Sequence, residues 1–173
     1  MLSGGVEVET GGGRKVTLRP ATPENYEELL RVYASTRAAE LAQVIWWDDE
    51  QKLAFCRSQY DAQKTEYDAR FPHADYSLIL LEGRTAGRLW VGRDADEIRL
   101  LDIALLPEAQ RQGVGAALVG ALIEEARASG KRLRHMVWAE NTGARRFYER
   151  HGFQVFEDVG GYLHMEWRPV SDK

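Results

Sequence analysis

Gln110-Arg111-Gln112-Gly113-Val114-Gly115 is the stretch whose residue types and spacing could do chemistry. It lies between an apolar run, Leu100 to Leu106, and an amphipathic run, Val114 to Ala128. A strand, a glycine-containing turn and a helix in that order gather free backbone N–H groups at the positive end of a helix dipole. Gly113 and Gly115 lack the Cβ atoms that would hold a phosphate away from the main chain. Arg111 adds a permanent cation. The pattern predicts an anion site for a pyrophosphate or a molecule that carries one. Two common nucleotide loops do not fit. A dinucleotide fold needs a third loop glycine beside an early strand, then an acidic residue on the next strand. Here the loop has two glycines and follows several strands. A P-loop needs a lysine after its second glycine, and Ala116 stands there.

The elements around the loop follow from periodicity and from helix and turn signals. Val16 to Arg19 alternates as a short first strand. Thr22-Pro23 gives an N-cap and a proline at N1, and Tyr26, Leu29, Leu30 and Tyr33 then keep helical spacing. A second helix is expected from Asp48 or Asp49, with Leu53, Cys56, Tyr60, Lys64 and Tyr67 on one face as far as Pro72. Ser77 to Leu81, Ala86 to Val91 and Ile98 to Leu106 read as strands joined by short turns, which favours an antiparallel meander. After the loop, Val114, Ala117, Leu118, Ala121 and Leu122 share a helix face, and Gly130 is its expected stop. Leu133 to Trp138 returns as a strand, so the unit is a right-handed crossover between parallel neighbours. Asn141 or Thr142 caps a last helix with Ala144, Phe147 and Tyr148 inside and Gly152 at its end. Phe153 to Phe156 and Tyr162 to Trp167 are the final strands. The fold class expected is α+β, a three-layer arrangement of helices on both faces of one mixed, mostly antiparallel sheet of about seven strands. Residues 1–15, with Gly4, Gly5, Gly11, Gly12 and Gly13, read as a flexible tail, and residues 16–173 as a single domain.

The loop and its surroundings resemble the GNAT superfamily of N-acetyltransferases. Gln110 to Gly115 is similar to that family's Gln/Arg-x-x-Gly-x-Gly/Ala pyrophosphate loop, and Ile103-Ala104-Leu105-Leu106-Pro107 to its fourth strand and the proline that follows. Asn141-Thr142-Gly143-Ala144-Arg145-Arg146-Phe147-Tyr148 through Gly152-Phe153 resembles its Asn-x-x-Ala-x-x-Leu/Phe-Tyr-x-x-x-Gly-Phe segment. Val16 to Ala21 resembles its opening strand, so the likeness spans residues 16 to 168 in order.

The resemblance implies a cleft where the fourth and fifth strands splay apart and acetyl-coenzyme A binds as cosubstrate. Carried over, the main chain of Gln110, Arg111, Gln112, Gly113, Val114, Gly115 and Ala116 holds the pyrophosphate. Ile103, Ala104 and Leu105 line the pantetheine arm as a neighbouring strand would. The Leu105 N–H is the implied donor to the thioester carbonyl. Tyr148 matches the family's general acid for the departing thiolate, and Asn141 a residue that contacts the cofactor's arm. Tyr148 on an apolar helix face is equally what a core tyrosine looks like. An amine with a pKa near ~10 must also lose a proton. Family members often place a carboxylate on the fourth strand or five residues before the asparagine. The second position is Met136 here, which leaves Asp102 and Glu97 as catalytic candidates, or a water chain. Asp102 could instead pair with a base such as Arg99.

The segment between the first two helices usually shapes the family's acceptor site. Here it holds Trp46 and Trp47 beside Asp48, Asp49 and Glu50. Two indoles and three carboxylates suit a small cationic amine, with Trp46, Trp47 and Asp49 as substrate-binding candidates. The same residues would also serve as helix packing and N-terminal charges. The function expected is acetyl transfer to a primary amine, most naturally of a small cationic molecule. The alternatives are a protein N-terminus or lysine side chain as acceptor, or an acyl-CoA sensor without turnover.

Other classes have less support. The formal net charge of −4 gives a nucleic-acid partner no help. No apolar run reaches the length of a membrane span, and the first residues lack a signal peptide's apolar core. Cys56 is the only cysteine, which fits a reducing cytoplasm and reads as a small core residue. The four histidines, His73, His135, His151 and His164, lack zinc-site spacing, so no metal is expected, and each reads as structural although His135 and His164 could face the cleft. The oligomeric state is open between monomer and homodimer.

Overall fold

Asp48 starts the longest helix by accepting a hydrogen bond from the Gln51 N–H at 2.8 Å, while the Gln51 side-chain oxygen accepts one from the Asp48 N–H. Such local devices set the ends of the elements in the computed structural model, which describes residues 5–171. The strands are β1 (Glu7–Glu9), β2 (Lys15–Pro20), β3 (Asp75–Leu81), β4 (Arg84–Arg93), β5 (Glu97–Leu105), β6 (Arg132–Trp138), β7 (Gln154–Val159) and β8 (Tyr162–Trp167). The helices are α1 (Tyr26–Ala42), α2 (Asp49–Arg70), α3 (Val114–Ser129) and α4 (Thr142–Arg150). Thr22-Pro23 opens a short 3₁₀ turn that leads into α1. Gly130, at φ 68°, ends α3, and Asn141 caps α4.

One sheet runs in the order β1-β2-β3-β4-β5-β6-β8-β7. Among the described residues only β5 and β6 are parallel, joined across α3, and every other pair is antiparallel. The α+β class is therefore as expected, with eight strands among the described residues where about seven were expected. The added strand corrects the reading of residues 1–15 as a flexible tail. Glu7 to Glu9 pairs with Lys15 to Thr17, and Val6 and Val8 pack on the core. Gly13, at φ 80°, closes the connecting turn through hydrogen bonds between Thr10 and residues 13 and 14. The glycines that suggest disorder by composition supply a hairpin turn instead. Residues 1–4 of that expected tail lie outside the described residues.

The two faces of the sheet carry separate cores. On one, Val114, Leu118 and Leu122 of α3 and Tyr148 of α4 pack on Leu89, Leu100, Leu133 and Val137. On the other, Leu29, Leu30 and Tyr33 of α1 meet Cys56 and Tyr60 of α2 over Leu78. No helix of the described residues is long and apolar enough to cross a membrane.

Two features of β5 position the site. It pairs with β6 only from Glu97–Arg132 to Leu100–His135, after which the two strands part. At the same level its register with β4 slips: Val91 faces Leu100 while Trp90 faces Asp102, so Leu101 is an extra residue. Beyond this bulge Asp102 and Ala104 lie opposite Trp90 and Arg88, and Ile103 and Leu105 lie opposite Leu89 and Gly87. A Cβ at Gly87 would stand 2.1 Å from the Ala104 carbonyl oxygen, so β4 can approach β5 there only without a side chain. Gly87→Ala should therefore force the strands apart and cost roughly 1–3 kcal/mol, the usual penalty of overpacking, read as a lower midpoint in thermal or urea unfolding.

Candidate active site at the parting strands

The chain leaves β5 through Leu106 and a 3₁₀ turn, Pro107–Ala109, then enters the loop and α3. Arg111 (φ 60°) and Gly113 (φ 80°) are both left-handed, a conformation that costs a non-glycine residue roughly 1–2 kcal/mol. Side chains hold the loop in this shape. Gln110 Nε2 donates to the Leu105 carbonyl at 3.0 Å, and Gln112 Nε2 to the Glu108 carbonyl at 2.6 Å. Arg14, from the β1–β2 hairpin, donates to the Gln112 side-chain oxygen, and Thr10 lies against Gly113. The Ala117 N–H donates to the Gly113 carbonyl as α3 begins. The N–H groups of Val114, Gly115 and Ala116 consequently have no acceptor within the helix. The loop thus combines a helix N-terminus with the Arg111 cation, the features that an anion site needs.

The edge of β5 beyond the bulge is the second part. Leu106 donates to the Ala86 carbonyl at 2.7 Å, and main-chain groups of alternate residues point to opposite sides of a strand. The N–H and C=O of Ile103 and Leu105 therefore point away from β4, on the side of the gap left by β6, where the Leu105 carbonyl already accepts from Gln110 Nε2. Ala104 departs from the expectation. Its main-chain groups face β4, and its side chain is buried with Val32 of α1 and Leu106, so it supports the wall from behind.

Tyr148 stands on α4, next to the fork. Asn141 Oδ1 caps that helix by accepting from the Ala144 N–H at 3.1 Å. The Tyr148 ring is 4 % exposed and touches His135 (4.6 Å between centroids), Phe147 and Phe153. It is a core residue that adjoins the fork through its contact with His135. Burial, and secondarily the charge of Asp102, push the phenol above its ordinary value, so it holds its proton throughout the neutral range.

His135 is the residue that sequence reasoning undervalued. Its Nδ1 lies 2.8 Å from the Leu100 carbonyl oxygen. A carbonyl can only accept, so Nδ1 carries the hydrogen and Nε2 keeps a free lone pair. Burial holds its pKa below the ordinary 6.5, against the opposing effects of the Leu100 carbonyl and of Asp102. A signal for it was available: Leu133, His135 and Val137 share one strand face, which turns His135 toward Tyr148 and not toward solvent.

Asp102 sits near both, on the α2 side, 27 % exposed, with Oδ2 2.7 Å from Arg88 Nε. The partner is thus Arg88 and not Arg99. Arg88 is 2 % exposed, donates from Nη2 to Gln63 at 2.8 Å, and lies under the rings of Tyr33 and Tyr60. Glu97 is not part of this group. It lies at the paired end of β5, 14 % exposed, among Arg99, Arg132 and Arg134, so its role as a proton acceptor is withdrawn on position.

The acceptor candidates also lie elsewhere. Trp47 packs on Phe55 at 5.5 Å and Trp46 is 75 % exposed. Asp49 borders an outer groove between α1 and α2 with Lys52 and Cys56. It precedes Gln63 by fourteen residues of α2, roughly 21 Å at 1.5 Å per residue. The helix-packing alternative accounts for Trp47. The fork itself opens on the α2 side into a cleft with Leu100 and His135 among its walls and Tyr67, Phe71, Met136 and Phe156 around them.

Residues 24–153 match the acetyltransferase (GNAT) family. An uncharacterized N-acetyltransferase of Methanocaldococcus jannaschii is 39 % identical over 74 residues, 42 % of this chain and 32 % of that protein. The chain thus spans about a third of the length of that curated relative. Among solved structures, the PaiA N-acetyltransferase of Thermoplasma acidophilum in complex with coenzyme A aligns with a TM-score of 0.67 at 19 % identity, over 88 % of this chain and 98 % of that one. The PseH N-acetyltransferase of Campylobacter jejuni in complex with acetyl coenzyme A aligns with a TM-score of 0.57 at 14 % identity, over 90 % and 99 %. At these identities the two structures share the fold.

Proposed function

The chain belongs to the acetyltransferase (GNAT) family, and on that premise we propose that it transfers an acetyl group from acetyl-coenzyme A to a primary amine by direct attack at the fork between β5 and β6. The observation that carries this reading is the fork itself. A parallel pair stops after Leu100 and His135, and a helix N-terminus with free donors stands at its far end. The coenzyme A and acetyl-coenzyme A held by the two structural neighbours are consistent with it.

The residues present fit that cosubstrate. The N–H groups of Val114, Gly115 and Ala116 and the Arg111 cation suit a pyrophosphate. The open edge of Ile103 and Leu105 suits the amides of a pantetheine arm. In this reading the Leu105 N–H donates to the thioester oxygen, the kind of fixed donor that favours charge developing there. Asn141 uses Oδ1 as a helix cap, and its Nδ2 hydrogens are available to the arm. Acetyl-coenzyme A brings an activated acyl group. The chain must then manage two protons: the acceptor arrives as an ammonium ion and loses both as the amide forms, one ending on the thiol and one in solvent.

His135 Nε2 is the base of this proposal and Tyr148 the acid. The imidazole is neutral at neutral pH and can take the ammonium proton, and the phenol can protonate the departing sulfur. Asp102, whose Oδ2 pairs with Arg88, acts through its charge, which keeps the phenol protonated and favours the imidazolium once formed. The acceptor is an amine. Its assignment as a small cationic molecule rested on Trp46, Trp47 and Asp49, which give no support at the fork.

Thiol release from acetyl-coenzyme A with a panel of amines tests the reaction. Coenzyme A binding without thiol release for any amine, including peptide N-termini and lysine side chains, would leave the acyl-CoA sensor in its place. Tyr148→Phe should lower kcat by roughly 10²–10⁴ with coenzyme A affinity retained, measured by steady-state kinetics and calorimetry; near-normal turnover would remove the phenol from the mechanism. His135→Gln should give a low kcat with no acid limb. In the unaltered protein, protonation of Nε2 should lower kcat only below pH 6.5, because burial depresses the His135 pKa; a limb that survives the substitution would assign the base elsewhere.

A further inference from the structure

The cleft on the α2 side of the fork has a composition that the proposed reaction does not use. Its aromatic walls are Tyr67, Phe71 and Phe156, and three guanidinium groups, Arg70, Arg99 and Arg134, stand around them. Among the described residues no carboxylate lines it. We propose that the acceptor amine also bears a carboxylate, bound by these guanidinium groups while its apolar body rests on the aromatic walls. An apolar or aromatic amino acid is the class that fits. The inference rests on the acetyl-transfer reading and adds the identity of the acceptor.

Charge around the cleft supports it. Arg70 pairs with Glu66 at 3.2 Å, and Arg134 pairs with Glu166 at 3.0 Å, which Arg168 also contacts. Glu97 serves Arg99 at 3.2 Å, Arg134 at 3.5 Å and Arg132 at 3.6 Å. Five guanidinium groups thus share three carboxylates, a local surplus of positive charge in a chain of net charge −4. Each guanidinium has five N–H donors, more than these partners can use. The planes are also held by rings. Arg134 lies 4.4 Å from the centre of Phe156, and Arg70 and Arg99 lie 5.3 and 6.0 Å from that of Phe71. A flat, ring-supported guanidinium loses little freedom on meeting a planar carboxylate.

The opposite charge lies deeper. Asp102, near His135, gives an ammonium group a reason to point into the fork, and the arginines give a carboxylate a reason to remain at the mouth. A zwitterion satisfies both. A second cation on the acceptor would meet the arginines and be repelled.

The test compares amines that differ only in the carboxylate: phenylalanine with phenethylamine, and leucine with isoamylamine. Each is titrated into the protein with coenzyme A bound, and each is assayed by thiol release. The carboxylate-bearing member of at least one pair should bind and react at least roughly ten-fold better. Arg99→Gln and Arg70→Gln should each weaken that member roughly ten-fold more than its partner, whereas Arg57→Gln, outside the cleft on the α1–α2 surface, should not. Equal or absent binding of both members in every pair overturns the inference, as does an Arg99→Gln effect of the same size on both. Absence of thiol release with every amine overturns the acetyl-transfer reading instead, and the titrations judge the carboxylate separately.

Discussion

A parallel strand pair that stops hydrogen-bonding partway leaves main-chain donors and acceptors with no neighbour, and most of this protein is arranged around that interruption. β6 leaves β5 after the Leu100–His135 pair. The extra residue Leu101 shifts β5 against β4 at the same level. A bulge increases local twist and redirects side chains, so the two events are one distortion seen from two neighbours. Its result is that Ile103 and Leu105 turn polar edges into a gap that is walled by side chains and backed by Ala104. Burying unsatisfied N–H and C=O groups is costly, and a ligand with amides along its length relieves that cost while gaining orientation.

The Arg88–Asp102 pair shows how the α1–α2 layer takes part. An arginine at 2 % exposure would be heavily destabilising alone. Asp102, Gln63 and the faces of Tyr33 and Tyr60 surround it, so its charge is compensated by hydrogen bonds and by ring quadrupoles. The same contacts fix Asp102 in the bulge region. The charge that tunes Tyr148 and His135 across the sheet is therefore held in place by the helices on its own side.

What the sequence revealed divides along the same lines. The loop was legible because its requirements are local: Gly113 must be left-handed, and the donors follow from the start of α3. The strands and helices were legible from periodicity, and Asn141 with Tyr148 from their fixed offset along α4. Partnerships set by strand register were not. Arg88 is fourteen positions from Asp102 and meets it only because of where the bulge falls. Glu97 resembles Asp102 as an acid on β5, yet the point at which β6 departs puts the two in different surroundings. Trp46, Trp47 and Asp49 had a plausible chemistry, and the length of α2 carried them away from the fork. The glycine-rich start misled for a different reason: glycine lowers the cost of a tight turn as readily as it raises the entropy of a free chain, and Gly13 uses the first property.

That hairpin also changes what the first residues mean for ligand binding. Arg14 grips Gln112, and Thr10 rests on Gly113, so the pairing of β1 with β2 and the shape of the anion loop are one mechanical unit. Free energy linkage runs both ways. Whatever an occupied loop gains in rigidity it lends to the sheet's outermost strand, and fraying of that strand is felt as a weaker grip on the anion. An edge that composition marks as expendable is in this sense a remote part of the binding site, and changes made there alter affinity without touching a single ligand contact.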